Sequence, residues 1–266
     1  MLQEHALSSL ELVNPAQGCN GAALPPTICE RLRRRATEWF RQEALTEPPA
    51  DLAEPFTLPW FLALEYHRYH RQARWLTQAL EFAEHDGETV LALGRGLGSD
   101  GVQYARHGAR VIVCNPDADE LEATRHHFAL RALPAVFHHT PRPNLPWPSA
   151  SIDLACVIQM VADLVAASDW LAELHRLLKP GGKLLMLESL PSYSYWAGQR
   201  VIRRLLPRLS IFEEVKIRRR HLRRSELGWL WRWWPRPWLE RCFGRFLLVK
   251  AHKPIHQVHQ ALPLAA

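Results

Sequence analysis

An α/β protein built on a doubly wound, mostly parallel seven-stranded sheet, with a helical extension at its N-terminus, is what this sequence predicts. Three observations carry the prediction. A short apolar run, Val90 to Leu93, ends in Gly94, Gly96 and Gly98, and a helical pattern follows at once. From Thr89 onward, strand and helix patterns alternate at the spacing of βα units. A helical pattern then runs into Lys179-Pro180-Gly181-Gly182, where proline cannot continue a helix and glycine permits the turn.

The elements follow in order. Residues 1–26 have weak periodicity and read as a loose arm ending in Pro25-Pro26. Residues 27–86 read as a helical extension or lid. Thr27 and Glu30 have capping-box spacing ahead of a helix to about Leu45, and a longer amphipathic helix is predicted from Trp60 to Phe82. The two helices either lie over a ligand cleft or cover a sheet edge. Residues 87–253 form the predicted α/β domain. Its strands are Val90–Leu93, Arg110–Cys114, Ala135–His138, Ile152–Ile158, Lys183–Leu187, Phe212–Ile217 and Phe246–Ala251. Its helices are Ser99–Ala109, Asp117–Ala129, Ala167–Leu178 and Tyr195–Leu206. Residues 221–243 are a Trp/Arg-rich insertion, and 254–266 a tail.

Composition sets outer bounds. The chain has 266 residues and a formal charge of +6, with arginines concentrated between Arg200 and Arg245. Five scattered cysteines without CxxC spacing argue for a reducing compartment, so a cytoplasmic location is expected, and against a disulfide framework or zinc site. The histidines lack carboxylate or cysteine partners at ligand spacing, so no metal is expected. Tryptophans 229, 231, 233, 234 and 238 interleave with Arg232, Arg236 and Arg241. That pattern suits packing on the sheet edge or a substrate lid. Within 218–241 it also leaves a weaker reading as an anionic-membrane or nucleic-acid surface.

In open α/β sheets ligands bind beyond the carboxyl ends of the strands, where the strand order reverses. Gly94-Arg95-Gly96-Leu97-Gly98 would form that point, with Ser99 and Asp100 opening a helix whose free N–H groups favour negative charge. The spacing is GxGxG rather than GxGxxG, and no acid ends the second strand, which disfavours a dinucleotide. Val90 to Gly98 resembles the first motif of the class I, Rossmann-like S-adenosylmethionine-dependent methyltransferases of the type 11 kind. Gly108 to Asn115 is similar to their second strand. Leu145 to Leu154 resembles their entry into strand four, and Leu174 to Lys183 their "LKPGG" turn.

The resemblance implies S-adenosylmethionine as cofactor, in-line methyl transfer to a small-molecule acceptor, and cofactor contacts from Gly94, Arg95, Gly96, Gly98, Asn115, Pro116 and Ile158. It also exposes three departures. The family commonly carries an acid on strand one for the aminoacyl end of the cofactor, where this chain has Ala92. The ribose-binding acid ending strand two is Asn115 here, and the acid near the adenine aligns with Pro141. Asn115 retains a carbonyl acceptor but loses the charge-assisted bond. A second reading follows from these losses: a methyltransferase-fold binding or scaffold protein without tight cofactor binding. No catalytic base is assigned. Asp163, Tyr66, Tyr69 and His70 are candidates near the expected cleft, but Asp163 reads more readily as a helix-start or surface residue and Tyr69 and His70 as packing residues.

Overall fold

A computed structural model of the chain describes residues 26–160, 167–190, 195–221 and 233–255. Its strands are β1 (Thr89–Gly94), β2 (Arg110–Asn115), β3 (Ala135–His139), β4 (Ile152–Ile158), β5 (Leu178–Ser189), β6 (Glu213–Arg220) and β7 (Phe246–His252). They form one seven-stranded sheet in the order β3-β2-β1-β4-β5-β7-β6. The pairings from β3 through β5 are parallel, and β7 runs antiparallel to both β5 and β6. The chain leaves β1 toward β2 and β3, then returns to place β4 on the other side of β1. The reversal point therefore lies between β1 and β4, where Gly94 is in register with Ile158.

The central strands are apolar because both faces are covered. Leu91, Leu93, Ala155 and Val157 face a core with Trp147, Trp170 and Leu174, whereas Val90, Leu154 and Cys156 face one with Tyr104 and Phe128. Helices α4 (Ser99–Arg106), α5 (Ala118–Ala129), α6 (Ala167–Leu177), α7 (Tyr195–Leu205) and α8 (Arg236–Phe243) complete the domain. The Asp117 side chain starts α5 by accepting from the Asp119 and Glu120 backbone N–H groups. Several boundaries differ from the sequence reading, three of them in ways that matter for the architecture. The first crossover helix stops at Arg106, β5 begins at Leu178 ahead of the Pro-Gly-Gly turn, and β6 is displaced to Glu213–Arg220.

The N-terminal extension opens with α1 (Pro26–Ala44), so Thr27 falls inside the first turn rather than ahead of it as a cap. The second predicted helix is not continuous. It comprises α2 (Leu58–Glu65), a π-helical segment (Tyr66–Gln72) and the short α3 (Trp75–Ala79). The π segment closes with the Ala73 N–H donating to Arg68 O at 2.8 Å, an i→i−5 bond. One extra residue per turn rotates the following side chains, which lets Arg68 and Tyr69 reach the same carboxylate of Asp100.

Phe40, Phe56, Trp60 and Phe61 form a third cluster together with Leu97 of the glycine loop and Ala123 of α5. Burial of each such side chain contributes about 1.5–3 kcal/mol relative to exposure. Of the two placements open to the extension, α1 and α2 therefore sit on the glycine loop. The later part, from Tyr69 to Phe82, packs on the sheet-side core.

Glu81 ties this extension to the sheet. It adopts φ 55° and accepts from Lys183 Nζ at 2.6 Å and Lys250 Nζ at 2.5 Å. Burial pushes its carboxyl up, but the two ammonium groups outweigh that and hold it below the ordinary value. A depressed folded value means stability that is present above the unfolded pKa of about 4.3 and lost as the pH falls through the folded value. Glu81→Gln is expected to lower the unfolding free energy at pH 7 by about 1–2 kcal/mol, because solvent partly screens the pairs. Urea unfolding at pH 7 and pH 3 checks this, with the difference between the proteins narrowing at the lower pH.

Candidate functional site at the glycine loop

The loop after β1 is fixed first by backbone. The Arg95 N–H donates to Ile158 O at 3.1 Å across the β1/β4 reversal point. Gly94, Gly96 and Gly98 all have positive φ, at 143°, 116° and 75°. A cleft of about 650 Å³, its open mouth included, lies above them, lined by Ala92, Gly94, Gly96, Asn115, Ile158 and Gln159 together with Trp39, Glu43 and Arg68 of the extension.

The loop's N–H groups are met by two carboxylates that no motif predicted. Glu43, near the end of α1, accepts from Leu97 N–H at 2.5 Å and Ser99 N–H at 3.1 Å. Glu120, in the first turn of α5, accepts from Gly96 N–H at 2.8 Å, Arg95 Nη2 at 3.1 Å and Trp39 Nε1 at 3.2 Å. Asn115 belongs to the same network. Its Nδ2 donates to Gly96 O at 3.2 Å and to Glu120 Oε2 at 3.3 Å, while its Oδ1 accepts from Asp117 N–H at 2.8 Å. Arg35 reaches in from α1, donating to Asp117 Oδ2 at 2.8 Å and lying 4.4 Å from the Trp39 ring centroid.

Beneath the loop, Arg68 and Asp100 form a buried pair. Arg68 Nη2 donates to Asp100 Oδ2 at 2.6 Å, and its Nη1 donates to the Glu43 carbonyl at 2.9 Å. The Tyr69 hydroxyl donates to Asp100 Oδ1 at 2.6 Å. Burial works against the Arg68 charge, but Asp100 outweighs it and raises the guanidinium above its ordinary value. Burial, reinforced by Asp100, holds the Tyr69 phenol well above its usual range. Tyr69 is therefore a protonated donor to Asp100, unsuited to act as a base near neutral pH. Burial also pushes the Glu43 carboxyl up, opposed by Arg68, by the Ser99 side chain and by the Leu97 N–H.

The predicted residues separate on this geometry. Gly94, Arg95, Gly96, Gly98, Asn115 and Ile158 line the cleft. Pro116 does not: it lies outside the lining, with its carbonyl 3.0 Å from His139 Nε2, because the chain turns away there to begin α5. Pro141 is exposed. Tyr66 is half exposed and stacks on His70, also exposed, rather than turning into the cleft. Asp163, Trp229 and Trp231 lie outside the described residues. Trp233, Trp234 and Trp238 are exposed, with Trp234 stacked on Trp238 at 4.8 Å between centroids, so these indoles are not buried against the sheet edge. Among the described residues, no group of three or more His, Cys, Asp or Glu could hold a metal, and no helix is long and apolar enough to cross a membrane.

Glu43, Glu120 and Arg68 are the site residues missed in the sequence. Gln159 is another, lining the cleft at φ 52° just past β4, with its N–H donating to Leu187 O at 2.9 Å. An expectation of acids on the strands had no means to find Glu43, which reaches the cleft from a separate helix.

Comparison with known proteins matches part of the chain. Residues 91–186 match the family model described as a methyltransferase domain. The demethylmenaquinone methyltransferase of Clavibacter sepedonicus is 30% identical over 102 residues, which cover 38% of this chain and 41% of that protein. The chain thus spans about two fifths of that curated relative. Among solved structures, the (4+2)-cyclase SpnF is similar with TM-score 0.54 and 15% identity, over 85% of this chain and 95% of that one. A chain of the complex between the Haloferax volcanii Trm112 methyltransferase activator and a candidate methyltransferase is similar with TM-score 0.51 and 18% identity, over 75% and 96%. At these identities the structural likenesses speak for the fold alone.

Proposed function

We propose, from the match of residues 91–186 to a methyltransferase-domain model, that the protein transfers a methyl group from S-adenosylmethionine to a small-molecule acceptor. The observation that carries this reading is the glycine loop at the β1/β4 reversal point, lining a cleft that holds a buried carboxylate. The residues present suit such a cofactor. The cleft lining combines apolar groups from Val113, Cys114 and Ile158 with the polar side chains of Asn115 and Glu43. Gly94, Gly96 and Gly98 let Ile158, Glu43 and Thr124 pack close against the loop, and Asn115 and Ile158 line the cleft beside it.

When bound, the cofactor supplies a methyl group on a sulfonium, which an acceptor displaces in line. The chain's contribution is to orient the two partners and exclude water, a contribution worth about 7–11 kcal/mol in well-aligned systems. Tyr69 stays protonated against Asp100, so the acceptor's proton is not assigned to it. The name of the curated relative is in keeping with a small-molecule acceptor. We place the protein in the cytoplasm on its unpaired cysteines, since Cys114 and Cys156 are buried free thiols whose burial raises their pKa.

The loss of motif acids at Ala92, Asn115 and Pro141 is what motivates the alternative of a protein without tight cofactor binding. The cleft nevertheless contains Glu43 and borders Glu120, so negative charge has moved rather than vanished. Calorimetric titration with S-adenosylhomocysteine and S-adenosylmethionine tests the proposal. A Kd in the micromolar range, near −8 kcal/mol by the affinity scale, is expected. No heat at millimolar ligand would overturn it.

A further inference from the structure

Glu43 has an unusual combination of properties. Its residue is only 9% exposed, and carboxylates are seldom so buried unless paired. Yet its two oxygens accept only from the Leu97 and Ser99 backbone N–H groups. The nearby cation, Arg68, spends its guanidinium on the Asp100 carboxylate and on the Glu43 carbonyl, not on the Glu43 carboxylate. No cationic side chain is paired with that carboxylate among the described residues. An ionised carboxylate offers about four lone-pair sites, so two remain open. It lines the same cleft as Ala92 and the glycine loop, and Oε2 lies 3.1 Å from where a β-carbon on Gly96 would stand.

A buried anion with unused acceptor capacity at the wall of a ligand cleft recognises a cationic donor. We infer that Glu43 supplies from α1 the negative charge that β1 lacks at Ala92, and that it binds the primary ammonium group of an S-adenosyl ligand. The inference rests on the cofactor proposed above and deepens it. An ammonium presents three donors to the two open lone-pair sites, and the pair would form in a partly desolvated cleft where charge-assisted bonds are strong. The N-terminal extension is then part of the cofactor site as well as its cover. Arg68 fixes the backbone of Glu43 through the carbonyl, and the aromatic cluster around Phe40 and Trp60 holds α1 against Leu97.

Calorimetry on the full chain separates recognition of the ammonium from simple support of the loop. The probes are S-adenosylhomocysteine, which carries the ammonium, and methylthioadenosine, which shares the adenosyl thioether without it. Glu43→Gln is expected to weaken S-adenosylhomocysteine about 10- to 100-fold and to change methylthioadenosine less than about twofold. Equal weakening of both ligands would reduce Glu43 to a loop support and overturn the inference. Unchanged affinity for both, or tighter S-adenosylhomocysteine, would overturn it too. If the variant does not fold, the wild-type protein decides. It should prefer S-adenosylhomocysteine over its deaminated 2-oxo analogue by about tenfold or more, and equal affinity overturns the inference. Wild-type protein that binds none of these ligands removes the cofactor reading, and this inference with it. Binding that ignores the ammonium removes the inference alone.

Discussion

Replacing Arg68 by methionine is expected to destabilise the protein by about 3–5 kcal/mol, the cost of leaving one member of a buried ion pair without its partner. Arg68 and Asp100 are 4% and 9% exposed at their side chains, and the guanidinium engages both carboxylate oxygens, at 2.6 and 3.4 Å. Methionine fills most of the volume but leaves Asp100 with the Tyr69 hydroxyl as its side-chain donor. It also frees the Glu43 carbonyl in the last turn of α1, where carbonyls lack partners within their own helix. Asp100→Asn should cost less, because the amide oxygen can still accept from Arg68. The double replacement Arg68→Met with Asp100→Leu should recover much of the loss, since apolar residues often replace a buried pair at little net cost. Chemical unfolding of the three variants measures this. A loss below about 1 kcal/mol for Arg68→Met would show the pair to be solvated, as surface pairs are.

The sheet was legible because its determinants are local and repeat in a known period. Val90–Leu93 and Ile152–Ile158 read as buried parallel strands, and they lie adjacent with Gly94 against Ile158. The antiparallel seventh strand, Phe246–His252, was visible as an apolar run, although its pairing between β5 and β6 was not. The loop itself was equally plain, because glycine at alternate positions after a strand has few other uses. What surrounds the loop was not legible. Glu43, Arg68 and Trp39 are far from it in sequence, and each sits in a helix whose pattern explains it as an ordinary amphipathic residue. Their roles depend on α1 packing over Leu97, a tertiary event with no local signature. The π segment is a sharper case. Trp60 to Phe82 has good helical periodicity, and nothing in that pattern marks the extra residue per turn that brings Arg68 and Tyr69 together on Asp100. The same blindness made the missing acids at Ala92 and Asn115 read as a loss of charge, although Glu43 lines the cleft and Glu120 accepts from the loop.

The largest single effect is expected at Gly94. A β-carbon there would stand 1.9 Å from the Ile158 carbonyl oxygen and 2.9 Å from its nitrogen, at φ 143°. Both contacts are backbone of the neighbouring central strand, which cannot rotate aside as a side chain could. Gly94→Ala must therefore separate β1 from β4 at the reversal point, breaking the Arg95 N–H to Ile158 O bond and shifting the floor of the cleft. A loss above about 4 kcal/mol is expected, at the exceptional end of single substitutions. Gly98 provides the internal comparison. Its β-carbon would stand 2.2 Å from Thr124 Cγ2, a side-chain atom, at φ 75°. The left-handed backbone alone costs alanine roughly 1–2 kcal/mol, and Thr124 must adjust besides. Gly98→Ala should thus remain folded, at a loss of about 2–3 kcal/mol, with the glycine loop displaced. Urea unfolding ranks the two, and hydrogen exchange at the Arg95 amide shows whether the β1/β4 junction has opened. If Gly94→Ala proved no worse than Gly98→Ala, the close approach of β1 to Ile158 would not be what fixes the loop. The weight would then fall on the carboxylates that hold it from α1 and α5.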